Sequence, residues 1–78
     1  MKITIVCTPI SSYGNTLSRI NVAPVATNGT YISSTTIYNK SGGGSQTTLT
    51  YTLTLDIINT AKSQGKNIGE IFIQHTNG

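Results

Sequence analysis

The sequence predicts an α+β fold: one small domain with about five strands in a mostly antiparallel or mixed sheet, and one short helix over about residues 56–64 on one face. Three observations carry that prediction. Residues 2–8 and 47–55 alternate apolar and polar side chains with the period of two that a half-buried strand requires. Asn28-Gly29 divides two further strand-like runs, and residues 57–64 carry a helical apolar stripe that a glycine closes.

Taken in order, residues 2–8 set Ile3, Ile5 and Cys7 on one face and Lys2, Thr4, Val6 and Thr8 on the other, until Pro9 removes a donor and ends the ladder. Residues 11–15 read as loop. Residues 19–27 and 30–38 read as a hairpin, because Asn-Gly readily takes the positive-φ pair of a two-residue type I′ turn. That turn would oppose Thr27 to Thr30, Ala26 to Tyr31, Val22 to Thr35 and Ile20 to Ile37, and bury Ile20, Val22 and Ile37. Pro24 costs a ladder bond and so argues for an edge strand or a bulge.

Residues 39–46, NKSGGGSQ, read as a flexible glycine/serine loop. Residues 47–55 follow with Leu49, Tyr51, Leu53 and Leu55 on a core face and Thr48, Thr50, Thr52 and Thr54 on a wet one. Asp56 stands where a helix N-cap belongs, Ile57, Ile58 and Ala61 form the buried stripe, Lys62 complements the C-terminal dipole, and Gly65 ends the helix. The last strand, residues 69–75, has Ile71 and Ile73 on one face and Phe72 on the other. Apolar residues on both faces make it the candidate central strand, and the expected core is Leu49, Leu53, Leu55, Ile71 and Ile73 with Ile3 and Ile5.

Composition narrows function. Five basic residues oppose Asp56 and Glu70, so 9% of the chain is charged, against about 25% in an ordinary soluble domain. Solubility therefore rests on neutral polar groups, among them fourteen Thr, eight Ser and seven Asn. A surface of this kind repels its neighbours weakly and suits packing against copies of itself. The basic residues stand singly and no Tyr alternates with them, so nucleic acid is not an expected partner. With 78 residues and one cysteine, the chain has a small core and no internal disulfide, and oligomerisation is the remaining means of stabilisation. The opening MKITIVCTPI lacks the apolar region and cleavage pattern of a signal peptide, and no apolar stretch spans a membrane. The expectation is synthesis in a cytoplasm.

Chemistry-bearing residues are few. Cys7 and His75 each end a strand, yet a cysteine on an apolar strand face is ordinarily a small core residue. Asp56 has a capping role, which leaves Glu70 without an acid–base partner, and two carboxylates with one histidine make a poor metal set. No catalytic residue, metal or cofactor is assigned, and an enzyme is not expected. The loop Lys40, Ser41, Gly42, Gly43, Gly44 and Ser45 offers successive amides beside a lysine, the makings of an anion nest. A Walker loop would place the lysine after the glycines and enter a helix, and this one enters a strand.

The segment Ser11-Ser12-Tyr13-Gly14-Asn15-Thr16, following a strand, resembles the phosphate loop of flavodoxin-like proteins, whose Ser/Thr-x-Thr-Gly-Asn-Thr enters a helix. The resemblance implies Ser11, Ser12, Asn15 and Thr16 as phosphate ligands. Tyr13 replaces the usual Thr, and a hairpin pattern follows where that fold has a helix. The hydroxyls of Thr48, Thr50, Thr52 and Thr54, about 6.7 Å apart along a strand, resemble the Thr-x-Thr faces of ice-binding proteins, without the internal repeat those proteins stack.

Two function classes follow. The first is a structural, self-assembling protein, such as a small viral capsid, decoration or fibre component incorporated into a virion, whose subunit contacts are made by the Thr48, Thr50, Thr52 and Thr54 face. The alternative is a small cytoplasmic binding or inhibitor module that recognises another protein or a phosphorylated ligand through its loops.

Overall fold

The computed structural model describes residues 1–11 and 17–77, the last as backbone alone. Residues 12–16, which carry most of the phosphate-loop resemblance, lie outside the described residues.

Among the described residues five strands and one helix form an α+β domain, in the order β1 (Lys2–Cys7), β2 (Ser18–Ala26), β3 (Thr35–Lys40), β4 (Thr47–Thr52), α1 (Leu55–Ser63) and β5 (Ile68–Asn77). The strands form two antiparallel sheets: β1 pairs with β4, and β2 lies between β3 and β5. The connection from β4 through α1 to β5 therefore passes between sheets and makes no parallel crossover.

The last strand is an edge in this arrangement and β2 is central, the reverse of the expectation from hydrophobicity. Pro24 is tolerated in the centre because of its orientation. Its carbonyl accepts from the Ile32 N–H at 2.9 Å, so its own nitrogen faces the same neighbour. On that side residues 32–34 interrupt the strand, and the missing donor costs nothing to the β2–β5 ladder.

The hairpin turn has three residues, Thr27, Asn28 and Gly29. Gly29 N–H donates to Ala26 O and Ala26 N–H to Thr30 O, both at 2.8 Å. Among the described residues only glycines have positive φ, and Gly29 takes +89°, so Asn28 is not in the I′ conformation and the loop is a type I turn closed by a left-handed glycine. Register moves with it. Val22 opposes Thr35 as expected, whereas Tyr31 meets Val25 and not Ala26, and a bulge at Ile20/Asn21 gives Ile20 to Tyr38 and not Ile37.

Helix α1 begins two residues earlier than Asp56 capping would require. Thr54 is the N-cap, its Oγ1 accepting from Ile57 N–H at 3.3 Å, and Asp56 sits in the first turn where the dipole favours a carboxylate. Leu55 is thereby the first helical residue and 69% exposed, outside the core expected for it. The helix ends as the glycine predicts: Gly65, at φ +70°, donates to Lys62 O, and Lys66 donates to Ala61 O, the paired bonds of a Schellman motif.

The core lies where the inner faces meet. Val22, Tyr51 and Leu53 are buried, with Ile3 and Ile5 of β1, Ile37 of β3, Ile57 and Ile58 of α1, and Ile68 and Ile71 of β5 packed against them. Leu49 is half-buried and Ile73 is exposed, so the expected core shrinks at that end. On the opposite face of β2, Ala23 opposes Phe72 and Val25 opposes Tyr31, which puts both aromatic rings over the small residues of the central strand. They stack there with centroids 5.4 Å apart.

Candidate functional site

The threonine ladder lies on the outer face of the β1–β4 sheet. Register sets Thr48 opposite Val6, Thr50 opposite Thr4 and Thr52 opposite Lys2, and all six side chains are exposed. The alternation that reads Thr as outward is thus a property of the whole two-stranded face. Thr54 does not belong to it, because it has left the strand and its hydroxyl caps α1.

The triple-glycine segment is tied to another loop. Gly42 N–H donates to Ser11 Oγ at 2.8 Å, Gly44 N–H donates to Pro9 O at 3.0 Å, and Ser11 N–H reaches Gly42 O at 3.4 Å. Gly42 is required by the approach itself, since a Cβ there would stand 2.6 Å from the Ile10 carbonyl carbon and the Ser11 nitrogen. Two amides of the nest read from sequence are therefore directed at the residue 9–11 segment. Lys40 closes β3, its Nζ 5.3 Å from the Tyr38 ring centroid, while Tyr38 OH donates to Ser41 O at 2.9 Å. Ser45 O accepts from the Thr47 hydroxyl at 3.3 Å. Ser41 and Ser45 are exposed.

Cys7 and His75 do share a cavity, although β1 and β5 do not pair. About 340 Å³ in volume, it is lined by Ile5, Cys7, Pro9, Ile10, Ile20 and Ile73 besides the imidazole. His75 Nε2 is hydrogen-bonded to Ser18 Oγ, a fully buried hydroxyl on the neighbouring strand. Ser18 had no marker in the sequence, being one serine among eight. A second cavity, about 380 Å³, lies between α1 and β5; its lining includes Leu53, Ile58, Ile68 and Ile71 together with Lys62, Lys66 and Glu70.

The open edge of β5 is the feature that periodicity alone did not reveal. Because Pro24 faces β3, its neighbours Ala23 and Val25 face β5, and they bond Phe72 and Glu70 there. Ile71 and Ile73 alternate with those residues, so their amides and carbonyls point away from β2 to a side where no strand of the described residues lies. Phe72 is 37% exposed and Ile73 48%.

No group of three or more His, Cys, Asp or Glu residues suited to a metal occurs among the described residues. No helix of the described residues is long and apolar enough to cross a membrane. No protein-family model, curated protein or solved structure matches the chain.

Proposed function

We propose that this protein is a structural subunit that assembles with copies of itself, with β5 as the contact strand. The observation that carries the reading is the ten-residue β5, paired on one side only, with the outward amides of Ile71 and Ile73 flanked by exposed apolar side chains. A long apolar edge is a template for another strand, and proteins that remain single blunt such edges with lysine, proline or a covering element. Here Glu70 is the one formal charge between Ile68 and Asn77. The shape adds support: the radius of gyration is 14.1 Å, where a compact domain of this length has about 11.5 Å, and the short axis is 15 Å. A thin slab has a large surface for its volume, and pairing edge to edge extends both of its faces.

The threonine face of β4 is a second contact candidate, suited to neutral hydrogen bonds between stacked slabs, as in a particle or fibre. The loop-binding alternative draws less support, because Gly42 and Gly44 direct their amides within the protein.

Light scattering over a concentration series tests this. Wild-type protein should associate, with weak dependence on ionic strength because few charges are present to screen. Ile73→Lys puts a charge on the edge and should leave a monomer with unchanged circular dichroism. A wild type that stays monomeric at high concentration overturns the reading. Association that survives Ile73→Lys but is lost in Thr50→Glu/Thr52→Glu moves the contact to the threonine face.

A further inference from the structure

We propose that the cavity between α1 and β5 is a binding site for an aliphatic carboxylate, with the hydrocarbon tail inside and the head at Lys62 and Lys66. The inference is independent of assembly and rests on how the residues around the space divide. The interior is hydrocarbon: Leu53 follows β4, Ile58 comes from the helix, and Ile68 and Ile71 come from β5. Of these, Leu53 is buried while Ile58, Ile68 and Ile71 are half-buried, so the cavity leaves apolar surface on core side chains without a packing partner. The space opens to solvent, and an apolar guest laid in it would cover hydrocarbon surface that water otherwise wets.

Volume sets the guest's length. At about 30 Å³ for each water-sized group, 380 Å³ holds about a dozen such groups, which matches a medium-length acyl chain. It also lies within the about 300–1,000 Å³ range of small-molecule sites.

Charge sets the head. Lys62 in the last turn of α1 and Lys66 just after it stand on the lining, against the single carboxylate of Glu70. The Schellman turn that ends the helix fixes the backbone of Lys66, whose N–H donates to Ala61 O at 3.0 Å. Its Nζ meets a neutral partner, Gln64 Oε1, at 3.4 Å, so the ammonium keeps its charge available. A lysine stem lies along apolar surface while its head stays in water, which puts both ammoniums where an entering carboxylate would stop. A cationic or neutral amphiphile would gain the same burial but lose that pairing.

The test uses the whole chain and three probes at concentrations below micelle formation: decanoate, decyltrimethylammonium and acetate. Calorimetric titration should give saturable one-to-one binding of decanoate, about tenfold weaker binding of decyltrimethylammonium, and none of acetate. Amide chemical shifts should move at Leu53, Ile58, Ile68 and Ile71. Lys62→Glu/Lys66→Glu should reverse the preference between the two amphiphiles with circular dichroism unchanged, and Lys62→Gln/Lys66→Gln should abolish it. Equal affinity for both head groups, shifts confined to other residues, or decanoate binding unaffected in both lysine variants would overturn the proposal. So would binding to phosphatidylglycerol vesicles without binding of free decanoate, which would assign the lysines to a membrane surface.

Discussion

Removing one oxygen atom from the core should stabilise this protein. Tyr51 opposes Ile3 in the β1–β4 ladder, is 3% exposed, and packs with Val22 and Leu53. Its hydroxyl is buried and has no hydrogen-bond partner among the described residues. An unsatisfied buried polar group costs about 1–3 kcal/mol. Tyr51→Phe removes that cost and leaves a gap; at about 24 cal/mol per Å³, an oxygen-sized void of roughly 15 Å³ costs about 0.4 kcal/mol. The first effect is larger, so the variant should gain about 1–2 kcal/mol in urea unfolding with an unchanged slope. In a domain of this size that corresponds to a rise in Tm of about 4–16 °C. Alkaline pH gives an independent reading. Burial raises the Tyr51 phenol above its usual 10.0, so the unfolded chain surrenders this proton first. Stability from this group is complete below pH 10.0 and is lost as pH rises from there through the folded value. The difference between wild type and Tyr51→Phe should therefore widen above pH 10.0. A variant less stable than wild type by 1 kcal/mol or more would refute the reasoning and show that the hydroxyl is satisfied.

Two contrasts within single segments test the rest of the architecture. Gly42→Ala drives a Cβ against the Ile10–Ser11 backbone and should cost about 1–3 kcal/mol, while Gly43→Ala, with open space around it, should change the urea midpoint by less than about 0.5 kcal/mol equivalent. Leu53→Ala should cost about 2–5 kcal/mol because Leu53 is in the buried cluster, and Thr52→Ala on the exposed face should cost less than about 1 kcal/mol in a monomer; equal losses would mean the two faces of β4 are misassigned.

How far the sequence was legible depends on the range of the physics involved. Alternation in β1 and β4 is local, and it gave the correct facing of Ile3, Ile5, Thr50 and Thr52. The helix stop at Gly65 is local as well, and the Schellman bonds confirm it. The start is ambiguous by two residues, because Thr54 and Asp56 are both good caps and the competition is decided by where β4 must release the chain. Leu55 was lost from the core through that choice. The hairpin shows a subtler limit. The three-residue turn leaves Val25 paired one residue short of the expected register, the extra residue in the 32–34 interruption restores it at Val22 and Asn21, and the bulge at Ile20/Asn21 carries it one residue further. None of these shifts is encoded by alternation. The placement of the candidate residues divides the same way: the outward facing of Thr48, Thr50 and Thr52 follows from a periodic pattern, whereas the Gly42 contact with Ser11 joins segments 31 residues apart.

The reversal of β2 and β5 leads back to function. Apolar residues on both faces are the mark of a strand with neighbours on each side, and β5 has that mark. In the protomer it has a neighbour on one side, while β2, with Pro24, Asn21 and Arg19, occupies the centre. If β5 evolved for a solvent edge, Phe72 and Ile73 are poorly chosen and a lysine or proline would serve better. If it pairs with a second copy, each β5 acquires the second neighbour its composition calls for, and the three-stranded sheet becomes six-stranded across a two-fold axis. In that arrangement β5 would be an inner strand of the shared sheet. The Ile73→Lys variant separates these accounts, because a solvent edge gains from a lysine and a contact strand loses its partner.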